Sequence, residues 1–193
     1  MKSLKLQFES LLDDDDIFLG SGNDKNLVKE WIKNNYRIYG DLTISDDLVV
    51  NCSDNVDVKN ENIESLTNGI FRWGMIDGGF NCNYCKNLKT LEGAPKIVGE
   101  SFYCDRCVNL KSLEGAPEKV GRSFGCCGCS GLTTLKGAPK KTDNGFYCNS
   151  CINLTSLEGA PKEVGWSFDC DNCPNLKITD SDRGRYGINH MNI

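Results

Sequence analysis

From residue 80 to residue 178 the apolar positions recur every 22 residues without insertion. Phe80, Phe102, Phe124, Phe146 and Phe168 each open a unit, with cysteine two and five positions later and leucine eight positions later. Three consecutive units read FYCDRCVNLKSLEGAPEKVGRS, FGCCGCSGLTTLKGAPKKTDNG and FYCNSCINLTSLEGAPKEVGWS. A fixed period of this size marks a solenoid, because one unit cannot bury its apolar face alone and must stack on its neighbours. Phe102 and Cys104 alternate about Tyr103, as in a strand with one buried face. Cys107, Leu110 and Leu113 complete the interior, while Gly115-Ala116-Pro117 can continue neither a helix nor a central strand. The pattern predicts an all-β repeat solenoid, a right-handed stack of 22-residue coils whose parallel strands begin at the five phenylalanines. So short a coil leaves little room for a helix, so the far side should return as extended or polyproline-like chain.

Outside this region the periodicity weakens. Asn62-Ile63-Glu64-Ser65-Leu66 aligns with Asn109-Leu110-Lys111-Ser112-Leu113, and a small insertion follows it in IFRWGMIDGG. Leu42-Thr43-Ile44 and Val56-Asp57-Val58 alternate as strands do, so residues 37–77 read as irregular first coils. A solenoid end exposes core unless something covers it. Leu27, Val28, Trp31 and Ile32 lie at helical spacing, predicting an N-terminal helical cap over 21–36 with Asn23 or Asp24 as its N-cap. Residues 179–193 read as a short irregular C-terminal cap, and residues 1–20 as a mobile acidic leader.

Charge narrows the partner. The chain of 193 residues carries a net −5. Residues 1–70 hold 14 acidic and 7 basic side chains, against 10 acidic and 12 basic in residues 78–178. Such a distribution repels nucleic acid at one end and attracts it feebly at the other, so nucleic acid is not the expected partner. No apolar run reaches the length of a membrane span and no secretory leader is apparent, which points to a cytoplasmic protein. No hydrolase, phosphate-loop or zincin motif occurs, and His190 is the single histidine. The run Asp13 to Asp16 lacks the spacing of a calcium loop and reads as solvated. No enzyme and no cofactor is expected.

The unit resembles the leucine-rich repeat, whose motif L-x-x-L-x-L-x-x-N/C-x-x-L looks like the run from Phe102 through Cys104 and Cys107 to Leu110. Phenylalanine and cysteine replace two leucines, and Cys107 occupies the place of an inward Asn or Cys that bonds the turn backbone. The phrase L-x-G-A-P-x-x-V-G is similar to repeats of proteins encoded by bacteriophages. The third unit departs from the pattern, with Gly131 for Asn and Thr142-Asp143 for Val-Gly. This resemblance implies a non-catalytic protein-binding module, acting on a bacterial host protein or within a virion.

Ten of the twelve cysteines form five C-x-x-C pairs. Their spacing lies within the range of structural zinc sites, and a zinc-binding repeat protein contacting nucleic acid is the alternative reading. Stacked coils, however, put equivalent cysteines about 4.8 Å apart along a ladder rather than around one point, which favours buried, reduced thiols. Cys127 breaks the pattern and should point outward.

Repeat proteins of this type bind through the exposed positions of their strand face. In chain order these are Asn81, Asn83 and Tyr84, then Tyr103, Asp105 and Arg106, then Gly125, Cys127 and Gly128. Tyr147, Asn149 and Ser150 follow, then Asp169, Asp171 and Asn172. The glycines of the third unit predict an open notch about 10 Å wide between Tyr103 and Tyr147. On that expectation Gly125→Trp blocks a partner without disturbing the fold.

Overall fold

The computed structural model describes residues 22–188, a stack of about six coils that carries two seven-stranded sheets. The mobile leader expected over residues 1–20, and His190, lie outside the described residues. The first sheet contains β1 (Tyr36–Ile38), β4 (Val56–Val58), β6 (Phe80–Asn81), β8 (Phe102–Tyr103), β10 (Phe124–Gly125), β12 (Phe146–Tyr147) and β14 (Phe168–Asp169) in that order. From β4 onward its neighbours are parallel, and each phenylalanine pairs with the next: Phe80 with Phe102, Phe102 with Phe124, and so to Phe168. The five strands begin where the periodicity placed them.

The far side holds more than a return path. A second sheet runs from β2 (Leu42–Ile44) and β3 (Val49–Cys52) through β5 (Arg72–Ile76), β7 (Ile97–Val98), β9 (Lys119–Val120) and β11 (Lys141–Thr142) to β13 (Glu163–Val164). Of the extended or polyproline-like return expected, the extended form holds, and its strands pair into a sheet. Once the first sheet sets the register, the residues before each Val-Gly meet their counterparts at strand spacing and pair. Between the sheets the Gly-Ala-Pro corners turn tightly. Gly115, Gly137 and Gly159 all have positive φ, and a Cβ on Gly115 would stand 2.4 Å from the Glu92 backbone nitrogen. Only glycine lets one coil lie that close on the last.

The interior is built of ladders. The rings of Phe80, Phe102, Phe124, Phe146 and Phe168 stack with centroids 5.3–5.5 Å apart and planes within 13°. Each such contact adds about 0.5–1.5 kcal/mol beyond the area it buries. Beside them run two thiol ladders. From the second pair on, the second cysteine donates to the carbonyl of the first cysteine one coil earlier: Cys107 to Cys82 (3.2 Å), Cys129 to Cys104 (3.1 Å), Cys151 to Cys126 (3.2 Å) and Cys173 to Cys148 (3.3 Å). A third ladder lies at the turn, where Asn109, Asn153 and Asn175 each donate to a backbone carbonyl of the coil before at 2.8 Å. Gly131 interrupts it.

Both ends are covered. Helix α1 (Gly22–Asn35) buries Val28 and Ile32 against the first coils, and Tyr36 and Trp73 close over Phe80. Asn23 and Asp24 fall inside its first turn, not at an N-cap. Asp24 there complements the positive end of the helix dipole. The C-terminal cap is a helix, α2 (Asp180–Tyr186), and not an irregular tail. Thr179 and Asp182 form a reciprocal capping box, and Gly187 ends the helix in the left-handed conformation. Tyr186 lays its ring on Phe168 at 4.1 Å and donates its hydroxyl to the Pro161 carbonyl, which continues the aromatic stack for one more rung.

One rung is mismatched. Thr142 stands where Val120 and Val98 stand in earlier coils, fully buried, with no partner for its hydroxyl. Thr142→Val should raise the stability by about 1 kcal/mol, read from the denaturant midpoint at unchanged slope, because it removes an unsatisfied polar atom and keeps the shape. Phe124→Ala, in mid-stack, should cost about 3–5 kcal/mol in the same measurement. Phe168→Ala, half-buried at the stack end, should cost visibly less.

Candidate functional site

Strand pairing lines up an outward row across the first sheet: Arg37, Asp57, Asn81, Tyr103, Gly125, Tyr147 and Asp169 are neighbours in register. A second outward row follows two residues later. Asn83 accepts the Asp105 amide (2.5 Å), and Asp105 accepts the Cys127 amide (2.7 Å). Cys127 is a weaker acceptor for the Asn149 amide, and it donates its thiol to the Asn149 side-chain oxygen (2.7 Å). The next positions, Tyr84, Arg106, Gly128, Ser150 and Asn172, all have φ between 56° and 67°. This left-handed turn ends each strand after two residues, and its cost explains why one unit uses glycine there.

Of the residues expected to bind, Tyr84 and Arg106 meet directly, with the guanidinium 5.5 Å from the ring centre. Tyr103, Asp105, Tyr147, Asn149, Asp169 and Asp171 are half-buried on the face. The open notch is corrected. Gly125 is buried, and a Cβ on it would stand 2.7 Å from the Tyr103 ring and 3.0 Å from an Asp105 oxygen. Tyr103 leans across the missing side chain and fills the gap. Tyr147 lies in turn against Gly145, where a Cβ would meet its hydroxyl. Gly125→Trp would therefore displace Tyr103 rather than project harmlessly to solvent.

The concavity lies on the other side of Tyr103. A cleft of about 420 Å³ opens over Asn81, walled by Tyr39 and Tyr103, with Asp57, Glu100 and Ser101 among its polar groups. Tyr39 is 51% exposed and donates its hydroxyl to Asp57 at 2.9 Å. A second hollow of about 300 Å³ adjoins it, sharing Asp57 and Asn81 and reaching Asn83 and Tyr84. Tyr39 and Asp57 escaped the sequence reading because they precede the strict period. The alternation of Val56-Asp57-Val58 already carried the signal, since it points Asp57 outward in phase with Asn81. A larger cleft, about 630 Å³, lies at the insertion on the far side, lined by Phe71, Trp73, Ala94 and Ala116. Among its rim charges, Arg72 pairs with Asp47 and Lys96 with Glu118.

The cysteines offer little chemistry. All twelve are free thiols, and burial holds Cys82, Cys104, Cys126 and Cys148 well above the usual thiol range. In Cys82 and Cys126 the hydrogen bond to the neighbouring coil's cysteine acts first and burial second. Among the described residues no three His, Cys, Asp or Glu side chains converge in a geometry that could hold a metal ion. Cys127 is half-buried, and desolvation together with the Asp105 carboxylate raises its pKa. A thiol so held is a poor nucleophile.

The fold defines the class: a β-solenoid repeat protein with one polar, tyrosine-bearing sheet face. No helix among the described residues is long and apolar enough to cross a membrane. No protein-family model matches the chain, and no curated protein or solved structure matches it significantly.

Alkylation by iodoacetamide tests the account of Cys127. The native thiol should react slowly at pH 8. Asp105→Asn keeps an acceptor for the Cys127 amide but removes the charge, so the thiol pKa falls and the rate rises, by up to about tenfold per pKa unit. An unchanged rate would remove Asp105 as a cause.

Proposed function

We propose that this chain is a non-catalytic protein-binding repeat module whose binding surface is the outer face of the first sheet. The observation that carries the reading is the pair of adjoining hollows around Asn81, bordered by Tyr39, Tyr84 and Tyr103 with Arg106 alongside. Tyrosine and arginine supply large, amphipathic contact area and dominate the energetics of protein interfaces. Here Tyr103 stands on a strand and the others on strand ends and turns that the stacked coils hold in place, so little conformational entropy is lost when a partner docks. The thiols, the most nucleophilic side chains of the chain, are turned inward or hydrogen-bonded, which supports binding over catalysis. The resemblance of the repeats to phage-encoded proteins makes the inferred partner a bacterial protein or a virion component, met in the bacterial cytoplasm.

Affinity capture from a bacterial lysate, run in parallel with three proteins, tests the reading. Wild type should retain a specific partner. Tyr103→Ala should weaken it by about 1–3 kcal/mol, as expected for an interface anchor. A variant with Asp13, Asp14, Asp15 and Asp16 changed to asparagine should bind as wild type does. If the asparagine variant loses the partner and Tyr103→Ala keeps it, the sheet face is scaffold and the site assignment is wrong.

A further inference from the structure

We propose that the cleft between Tyr39 and Tyr103 receives a cationic side chain, a lysine or arginine carried by a basic segment of the partner. The inference rests on the protein-binding reading and names the chemistry of its central contact.

The lining of the cleft carries it. Two tyrosines wall the space, two carboxylates reach it in Asp57 and Glu100, and the amides of Asn55 and Asn81 and the Ser101 hydroxyl complete its polar surface. No lysine or arginine lines it. Aromatic rings attract cations through their quadrupole, and carboxylates add net negative potential, so the site favours positive charge over a neutral or anionic group. Two nearby cations compete for these groups from the exposed rim. Arg122 pairs with Glu100 at 3.1 Å, but both side chains are well exposed, and such a pair is easily exchanged. Arg37 lies across from Asp57 and its guanidinium also faces the Tyr39 hydroxyl, but the side chain is fully exposed, so this contact too is exchangeable, and Lys59 lines only the adjoining hollow. The adjoining hollow holds Asp57 and Glu61 against those two cations and is nearly balanced. The tyrosine-walled space thus holds two carboxylates whose own arginines, Arg37 and Arg122, stand at its exposed rim, where a partner's cation competes with them.

The fold prepares that space through Gly125. Tyr103 leans toward the third coil because glycine leaves room for its ring, which draws the ring away from Asn81. Tyr39 is tethered on the opposite wall by its bond to Asp57. That bond uses one carboxylate oxygen, Oδ2, and an ionised carboxylate retains further acceptor capacity for a guanidinium or ammonium group.

The experiment uses capped pentapeptides with one central residue flanked by glycines, titrated into the full chain and followed by ¹H–¹⁵N NMR. With arginine or lysine at the centre, resonances of Asn81, Ser101 and Tyr103 should shift together, with a dissociation constant on the order of 1 mM. Norleucine and glutamate peptides should leave them in place. Asp57→Asn combined with Glu100→Gln should weaken the cationic peptides about fivefold or more, and 0.5 M salt should weaken them as well. Tyr103→Ala should do the same, with the rest of its spectrum unchanged as the control for folding. Equal shifts with norleucine would overturn the proposal and make the cleft an apolar socket. Shifts spread over Asp46, Asp47 and Asp54, or none at all, would overturn it too. If the peptides fail while Tyr103→Ala still loses the captured partner, the cation assignment falls and the protein-binding reading stands. If partner capture survives Tyr103→Ala, the reading itself fails, whatever the peptides do.

Discussion

Stacking in register is the constraint on which the rest of this molecule depends. Each coil must present to its successor the same surface that it receives from its predecessor, because equivalent residues meet at strand spacing. The phenylalanine column satisfies this with parallel rings, and the cysteine pairs satisfy it with a thiol–carbonyl bond back to the preceding cysteine-bearing coil. Neither device works in an isolated coil. A small buried thiol is well suited to the role, since it fills core volume like an apolar group and still offers a weak donor to a carbonyl.

The same constraint exposes every departure from the repeat. Where Thr142 replaces valine, a hydroxyl is buried without a partner. Where Cys127 replaces Asn or Asp, the row of side chains that accept backbone amides weakens to a sulfur, and the thiol donates to the Asn149 side chain. Where Gly131 replaces asparagine, the turn ladder skips a rung, and Ser130 makes only a long contact, 3.5 Å, to the Val108 carbonyl. All three fall in the third coil, the unit that also carries Gly125. Apart from the buried Thr142, its departures concern the outer face and the corners, while Phe124, Cys126, Cys129, Leu132 and Leu135 keep the core ladders intact. The coil can therefore vary on its surface without losing its place in the stack.

The surface that follows is rigid, narrow and polar, and its shape comes from where side chains lean. Tyr103 belongs to the repeat, yet it creates a hollow on one side by filling a gap on the other. Tyr39 lies outside the repeat and completes the hollow because β1 runs antiparallel to β4 and brings its end over Asp57. A binding surface thus arises at the junction between the regular stack and its irregular first coils.

Much of the fold was legible in the sequence, since a 22-residue period admits few alternatives to stacked coils. The five phenylalanine-led strands, the inward cysteines and the helical N-terminal cap all followed from spacing and alternation. The second sheet, the C-terminal helix and the closed notch did not. Two-residue strands carry no alternation to read, and a capping box within a polar tail announces a helix only weakly. A glycine shows that space is available without saying which neighbour takes it. The sequence alone determined which residues repeat, and so which must touch their counterparts. Only the tertiary structure decided how far each exposed side chain leans, because that depends on the residue one coil away and not on its neighbours in the chain.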